Sequence, residues 1–307
     1  MKRVLLTGAG GFVGRRCVSE LLARGYEVHA VGRRGAPPNE DSLRLLWHTA
    51  DLLDGQAVEA LVAEVRPTHL LHLAWYTEHG KFWTAVENLR WVGASVSLFE
   101  TFAEHEGRRV VAAGTCVEYA PVEGAPCSEA STRLGPTTLY GACKHATHII
   151  LGAFARQAGL SHAWGRLFFP YGPGEPPAKL VRSVASALLA GEPALCTHGR
   201  QVRDFIHVED AAAALVSLLD SAVEGAVNIA SGNPVALREV IERVAAHTRR
   251  PDLVRLGARP APEGEPLTLY ADARRLRDEV GWAPRYELDE GIAATVEWLK
   301  GFAQKGA

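Results

Sequence analysis

The chain has no surplus of positive charge: its 307 residues carry 33 Lys and Arg against 35 Asp and Glu. That balance excludes the broad basic field that binds nucleic acid or an anionic membrane, so any cation that matters acts locally. Cysteine is scarce as well. Cys17, Cys116, Cys127, Cys143 and Cys196 are scattered without a C-x-x-C, which argues against a disulfide framework and predicts a reducing, cytoplasmic setting. Nowhere do 18 apolar residues run together, so no membrane span is expected. The apolar N-terminal stretch breaks at Gly8, too early for the core of a signal peptide. Internal repeats and low-complexity tails are missing too.

What is present begins at once. Val4, Leu5 and Leu6 form a short apolar run of the kind buried on both faces in a parallel sheet. Gly8, Gly11 and Gly14 follow at spacing three, and a helical pattern starts at Phe12 and continues past Val13, Cys17, Val18, Leu21 and Leu22. Glycines between a strand and a helix let backbone approach a diphosphate, while the N–H groups of the first helical turn attract it. The spacing is G-x-x-G-x-x-G rather than G-x-G-x-x-G. In this context it predicts a dinucleotide site.

Strand and helix patterns then alternate, which predicts an α/β fold: a Rossmann, doubly wound parallel sheet with a smaller C-terminal lobe. Strands are expected at Val4 to Leu6, Glu27 to Val31, Arg44 to His48, His69 to Leu73, Arg109 to Ala113 and His162 to Leu167. Helices are expected at Phe12 to Arg24, Gly55 to Glu64, Phe82 to His105 and Thr138 to Ala158. A turn-rich stretch with Pro170, Pro173, Pro176 and Pro177 marks a change of character. Residues 1–168 are therefore read as the dinucleotide-binding domain and 169–307 as an interleaved substrate lobe, with 202–230 returning to the first. Later helices are expected at Lys179 to Ala190, Val208 to Leu219 and Glu290 to Phe302, and a strand at Val227 to Ala230.

A dinucleotide fold usually carries an acid at the end of its second strand, where it binds the adenosine ribose. Here that place reads Gly32, Arg33, Arg34. Two guanidiniums suit a 2'-phosphate by charge and by bidentate geometry, so NADP(H) is favoured over NAD(H). Asp51 and Leu52, after the third strand, are expected at the adenine, with capping of a short helix as the other role for Asp51. Leu73, Ala74 and Trp75 end the fourth strand and should line the diphosphate and the second ribose.

Tyr140 and Lys144 stand four apart, on one face of a predicted helix, and no other Tyr has Lys four residues later. Taken with TGAGGFVG, AAGTCVEYA and RDFIHVEDAA, the pair YGACK resembles the extended short-chain dehydrogenase/reductase family, in particular its nucleotide-sugar epimerases, dehydratases and ketoreductases. The resemblance covers nearly the whole chain. It implies catalytic roles for Thr115, Tyr140 and Lys144, and a nucleotide-sugar substrate. A hydroxyl donor, a phenol and an ammonium beside a nicotinamide can move a hydride and a proton to opposite ends of a carbonyl.

Departures from the family pattern narrow the expectation. Dehydratases of the 4,6-type carry Asp and Glu directly after the active-site Thr, whereas this chain has Cys116 and Val117. Elimination then lacks its acid and base, and NADPH-dependent reduction of a keto-deoxyhexose is the leading expectation. An NAD-dependent epimerase is the second, and a dinucleotide-binding sensor without turnover the third. Where the family commonly reads F-N-x-Y-G-P, Phe169 replaces the Asn, either facing substrate and cofactor or packed as core. The resemblance places Lys179 and Arg203 at the substrate's phosphates. Arg259 is a weaker third, three positions early, with Pro262 in the usual place. For Arg203 the competing role is a salt bridge to Asp204 or Asp210, and Cys116 is read as pocket lining.

No metal is expected. His69 and His72, an odd number apart on a strand, face opposite ways, and His145 and His148 lack an evident third ligand. Trp83, Leu89, Val92, Val96 and Phe99, with Ile149, Ile150 and Phe154, make two helices apolar over more than one face. Such helices are either core or subunit interface, and the family resemblance implies a homodimer.

Overall fold

A computed structural model describes residues 2–33 and 43–305, the side chains of 302–305 excepted. Its strands, in chain order, are β1 (Arg3–Thr7), β2 (Glu27–Gly32), β3 (Leu45–Thr49), β4 (His69–His72), β5 (Arg109–Thr115), β6 (Ser161–Leu167), β7 (Phe169–Tyr171), β8 (Ala194–Leu195), β9 (Val202–His207), β10 (Gly225–Ile229), β11 (Pro234–Ala236), β12 (Val254–Arg255) and β13 (Thr268–Leu269). The main helices are α1 (Gly14–Ala23), α2 (Gly55–Val65), α3 (Glu87–Glu104), α4 (Leu139–Ala158), α5 (Leu180–Leu189), α6 (Val208–Asp220), α7 (Leu237–Thr248) and α8 (Leu288–Lys305).

Seven strands form one sheet in the order β10-β6-β5-β4-β1-β2-β3, and every pairing in it is parallel. This is the Rossmann arrangement expected from sequence, widened by β10. The order reverses between β1 and β4, and such a switch point opens a crevice at the carboxyl ends of the strands. The near-continuous apolar runs of β1, β4 and β5 have their physical reason here, because helices cover both faces. On one face α1 packs with α6; on the other α3 packs with α4 and α2. Val4, Leu6, Leu71 and Val111 are buried on the first side, Leu5, Leu70, Val110 and Ala112 on the second.

Local chemistry sets the helix ends. The Asp54 carboxylate accepts from the N–H of Gln56 at 2.9 Å and so caps α2. Thr138 caps α4 through the N–H of Gly141, and Gly159 closes that helix at φ +66°. α3 starts five residues later than the sequence pattern predicts. Asn88 Nδ2 donates to the carbonyls of Phe82 and Ala85, and the Tyr140 N–H takes the Trp83 carbonyl, so these acceptors serve other donors than a helical ladder.

Of the stretch 202–230, β9 lies in a small sheet with β7, β11 and β13, while α6 and β10 rejoin the large one. The small lobe's core is formed by α5, α7 and α8, with Val184, Leu188, Ile241, Val244, Ile292 and Val296 buried together. α7 and the antiparallel pair β9–β11 were not expected from sequence.

Candidate active site

The glycine turn follows β1. Gly8 has φ +70°, and a Cβ there would lie 2.8 Å from the Ala74 nitrogen. Gly14 has no space either: a Cβ would come 2.8 Å from the Gly8 carbonyl carbon and closer still to its oxygen. Both positions need glycine for the turn to close this tightly. α1 begins at Gly14 with no side-chain cap, and among the described residues the amides of Phe12 and Val13 donate to no backbone acceptor. A cradle closed by glycines, with uncapped N–H groups at a helix start, fits a dinucleotide diphosphate.

The facing wall is the end of β4. Thr7 Oγ1 accepts from the amides of Leu73 and Ala74, each at 3.2 Å, and its hydroxyl lies 2.8 Å from His72 Nδ1. His72 Nε2 lies 3.0 Å from Ser95 Oγ, whose own proton goes to the Trp91 carbonyl at 2.7 Å. Only one proton arrangement satisfies every partner: Thr7 donates to Nδ1, and the Nε2–H donates to Ser95. His72 is therefore neutral, and burial, with the Lys144 charge behind it, pushes its pKa down to about 3.

β5 and α4 bring Thr115, Tyr140 and Lys144 together. The Thr115 hydroxyl is within hydrogen-bonding reach of the Tyr140 phenol, and that contact favours the phenolate. Burial acts more strongly and raises the phenol pKa, helped by Cys116 and Glu118. Phe82 and Trp83 stand edge-on to the Tyr140 ring at 4.9 and 5.9 Å. Lys144 Nζ donates to the Ala113 carbonyl at 2.8 Å and lies 3.9 Å from the centre of the Trp75 ring. Burial lowers its pKa to about 7, against the opposing pull of Glu118. Trp75, fixed by its Nε1 bond to Asn88, thus joins the end of β4 to α4 through Lys144.

The chain as a whole has counterparts among known proteins. The family model described as "NAD dependent epimerase/dehydratase family" matches residues 4–230. The chain belongs to that family. Family membership makes it an extended short-chain dehydrogenase/reductase enzyme, as its sequence motifs imply. The dTDP-glucose 4,6-dehydratase of Xanthomonas campestris pv. campestris is 28% identical, over 96% of this chain and 92% of that one. A crystal structure of the Thermus thermophilus UDP-glucose 4-epimerase with NAD is 28% identical with a TM-score of 0.84, covering 97% of this chain and 99% of the other. The structure of MoeE5 with UDP-glucuronic acid and NAD is 32% identical with a TM-score of 0.86, over 98% and 100%.

Around this family core the remaining site residues differ in how free they are. Arg33 is exposed just past the end of β2, and Arg34 lies outside the described residues. Asp51 is exposed and accepts from the Leu53 N–H at 3.0 Å, forming a turn rather than a helix cap, while Leu52 is buried. Cys116 is buried in the junction between the lobes with Phe168 and Ala230, and Phe169 packs against that cluster. Burial raises the Cys116 thiol to about 12, which makes it a poor nucleophile.

Lys179 is half-buried at the start of α5, with Glu175 and Cys116 the groups that oppose its loss of charge. Arg203 forms neither of the salt bridges expected from sequence, to Asp204 or to Asp210. Its Nη2 pairs with Glu265 at 2.7 Å and with the Pro266 carbonyl, its Nη1 with the carbonyls of Val202 and Leu267. Asp204 instead serves Ser231 and Gly232, and Asp210 serves Arg285. The Arg203 guanidinium also lies 5.6 Å from the Phe169 ring. Arg259 is exposed, its N–H bonded to the Cys196 carbonyl.

The ligand atoms of His145, His148 and Glu118 lie within 4.8 Å of one another, so the third ligand not evident in sequence does exist in space. It is not a cation site. Arg166 Nε is 3.1 Å from Glu118 and its Nη2 is 3.5 Å from His148, so a fixed positive charge already occupies the cluster. This buried Glu118–Arg166 pair is the part of the site that sequence reasoning missed. Its signal was a lone Glu three residues past Thr115, with its partner 48 residues away.

Proposed function

We propose that this enzyme carries out hydride transfer on a nucleotide-linked sugar without dehydration, in the direction of NADPH-dependent reduction of a keto-deoxyhexose. The observation that carries this reading is the surroundings of Thr115. Its neighbours are an un-ionised thiol, Cys116, and Val117, and the nearby carboxylate, Glu118, is fully buried and paired with Arg166. No group there is free to take a proton from one sugar carbon while another protonates the departing hydroxyl.

A nicotinamide bound along the glycine turn would supply or accept the hydride. Tyr140 then delivers a proton to the carbonyl oxygen in reduction and removes it in oxidation, and Thr115 donates the hydrogen bond that orients that oxygen. Lys144 adds a positive charge, and its downshifted pKa lets it return a proton near neutral pH. Arg33, with Arg34 beyond it, supports NADP(H). Lys179, at the helix start facing the junction, supports binding of the substrate's phosphates, with Arg203 anchoring the neighbouring 265–267 segment. A second reading, an NAD-dependent epimerase, is favoured by the NAD bound in related structures. We further infer a homodimer through α3 and α4, whose outer faces leave Leu89 and Ile149 58% and 57% exposed beside Ile150.

A panel of keto-sugar nucleotides, each followed by loss of NADPH and of NADH absorbance, tests the first reading. Net NADPH oxidation with one member is the expected result. Tightly retained NAD, with sugar interconversion and no net oxidation, would replace it with the second. Light scattering tests the dimer, and a monomeric mass would dismiss it.

A further inference from the structure

Glu118 has no exposed surface, yet its carboxylate is fully engaged. Oε1 accepts from the Thr115 N–H at 2.9 Å and from the Trp164 indole at 2.8 Å; Oε2 accepts from Arg166 Nε at 3.1 Å. Thr115 Oγ1 in turn accepts from the Val117 N–H, which closes a reciprocal cap over the turn after β5. The strand end that carries the catalytic hydroxyl is thus gripped twice: Lys144 holds the Ala113 carbonyl and Glu118 holds the Thr115 amide.

Gly114, between those two points, is shaped for the same purpose. A Cβ there would lie 2.7 Å from Glu118 Oε1 and closer still to Trp164 Nε1. The chain keeps its backbone bare where indole and carboxylate meet. Arg166 extends the grip to the Tyr119 hydroxyl at 3.0 Å, which donates to Asn228 Oδ1 at 2.8 Å. Asn228 Nδ2 completes the line on the carbonyls of Cys127 and Asp272. A buried ion pair as such need not add stability, since well-packed apolar residues can replace one at little or no loss; what an apolar pair would not supply is the acceptor for the Thr115 amide.

We propose that Glu118 is a positioning residue for the Thr115–Tyr140–Lys144 site, clamping Thr115 through its amide and setting the charge that phenol and ammonium experience. This rests on the catalytic reading above and deepens it. The titratable groups that face Tyr140 are Cys116 and Glu118 from the turn after β5, beside the Thr115 hydroxyl; the segment before α3 offers the rings of Phe82 and Trp83. Glu118 disfavours the phenolate and favours the ammonium. Removing its charge therefore lowers the ionisation midpoint of both.

The test compares four proteins: wild type, Glu118→Gln, the apolar double variant Glu118→Leu/Arg166→Met, and Tyr140→Phe. The first readout needs no ligand: the hydrogen-exchange rate of the Thr115 amide, whose acceptor is Glu118 Oε1, which the double variant is expected to speed by at least about tenfold. Glu118→Gln keeps an acceptor oxygen but not the charge, and is expected to shift the kcat–pH profile to lower pH. The second readout is turnover of a dTDP-4-keto-6-deoxyhexose with NADPH or of UDP-glucose with NAD, beside NADPH and NADH binding by fluorescence. The double variant strands the Thr115 N–H and the Trp164 indole and is expected to melt below the wild type, yet to stay folded and bind the nucleotide while losing roughly 10- to 100-fold in kcat with little change in KM. Unchanged Thr115 amide exchange in the double variant, or a folded double variant with wild-type kcat on a turned-over sugar, overturns the proposal while Tyr140→Phe remains inactive. Activity retained by Tyr140→Phe overturns the catalytic reading, and this one with it.

Discussion

Two neighbouring strand ends in the crevice are secured by opposite means. At the β1–β4 end the groups are neutral: Thr7, His72 and Ser95 pass hydrogen bonds in one direction and leave no charge. At the β5 end the work is done by ions, with Glu118 and Arg166 buried at 0% and 1% exposure and Lys144 close by. The contrast teaches how one pocket serves two tasks. On the function proposed above, the wall beside the diphosphate must not add negative charge, whereas the wall beside the sugar must steer a proton, and fixed charge does that at a distance.

The largest effect that would break this contrast is at Tyr140. Tyr140→Phe is expected to lose 10²- to 10⁴-fold in turnover while nucleotide affinity, followed by fluorescence, stays within a few-fold. Gly14→Ala tests the neutral wall from the other side. The added methyl meets the Gly8 carbonyl, so nucleotide binding should vanish at a cost of about 1–3 kcal/mol in stability, read from denaturant midpoints. Equal binding in the variant would show that the cradle relaxes.

His72→Leu sharpens the comparison. It strands Thr7 and Ser95 and is expected to cost about 1–3 kcal/mol. The same histidine links stability to pH. Its folded pKa, about 3, lies below the ordinary value near 6.5, so between those limits the unfolded chain binds the extra proton and stability falls as pH falls. His69, brought down to about 4, and His148, to about 3, act in the same direction. Urea midpoints at pH 7 and pH 5 should therefore separate by less in His72→Leu than in the wild type. The smallest expected effect is on the rim. Arg33→Asp should shift the NADPH-to-NADH preference by roughly tenfold toward NADH, measured as the ratio of kcat/KM.

Much of this was legible from local pattern. The glycine turn, the apolar strands and the Tyr140–Lys144 spacing are all short-range signals, and each lies where the sequence places it. What escaped depends on partners far along the chain. Glu118 reads as an unremarkable acid until Arg166 is folded against it, and Arg203 finds Glu265 in a proline- and glycine-rich segment with no periodicity to interpret. Helix α3 begins late for a related reason: a single Asn88 amide captures two carbonyls that a pattern of apolar residues would assign to a helix. α7 has the ordinary spacing of an amphipathic helix, but that signal lies among turn-rich neighbours.

The place of β10 at the sheet edge has a consequence for synthesis. Its five residues are made only after the small lobe's strand β9 and the helix α6, yet they pair with β6, which left the ribosome some sixty residues earlier. Until position 229 emerges, the growing chain presents β6 as an open edge, and such edges invite pairing with other chains. Removing 225–229 from a finished molecule should likewise yield aggregation rather than a trimmed nucleotide-binding module.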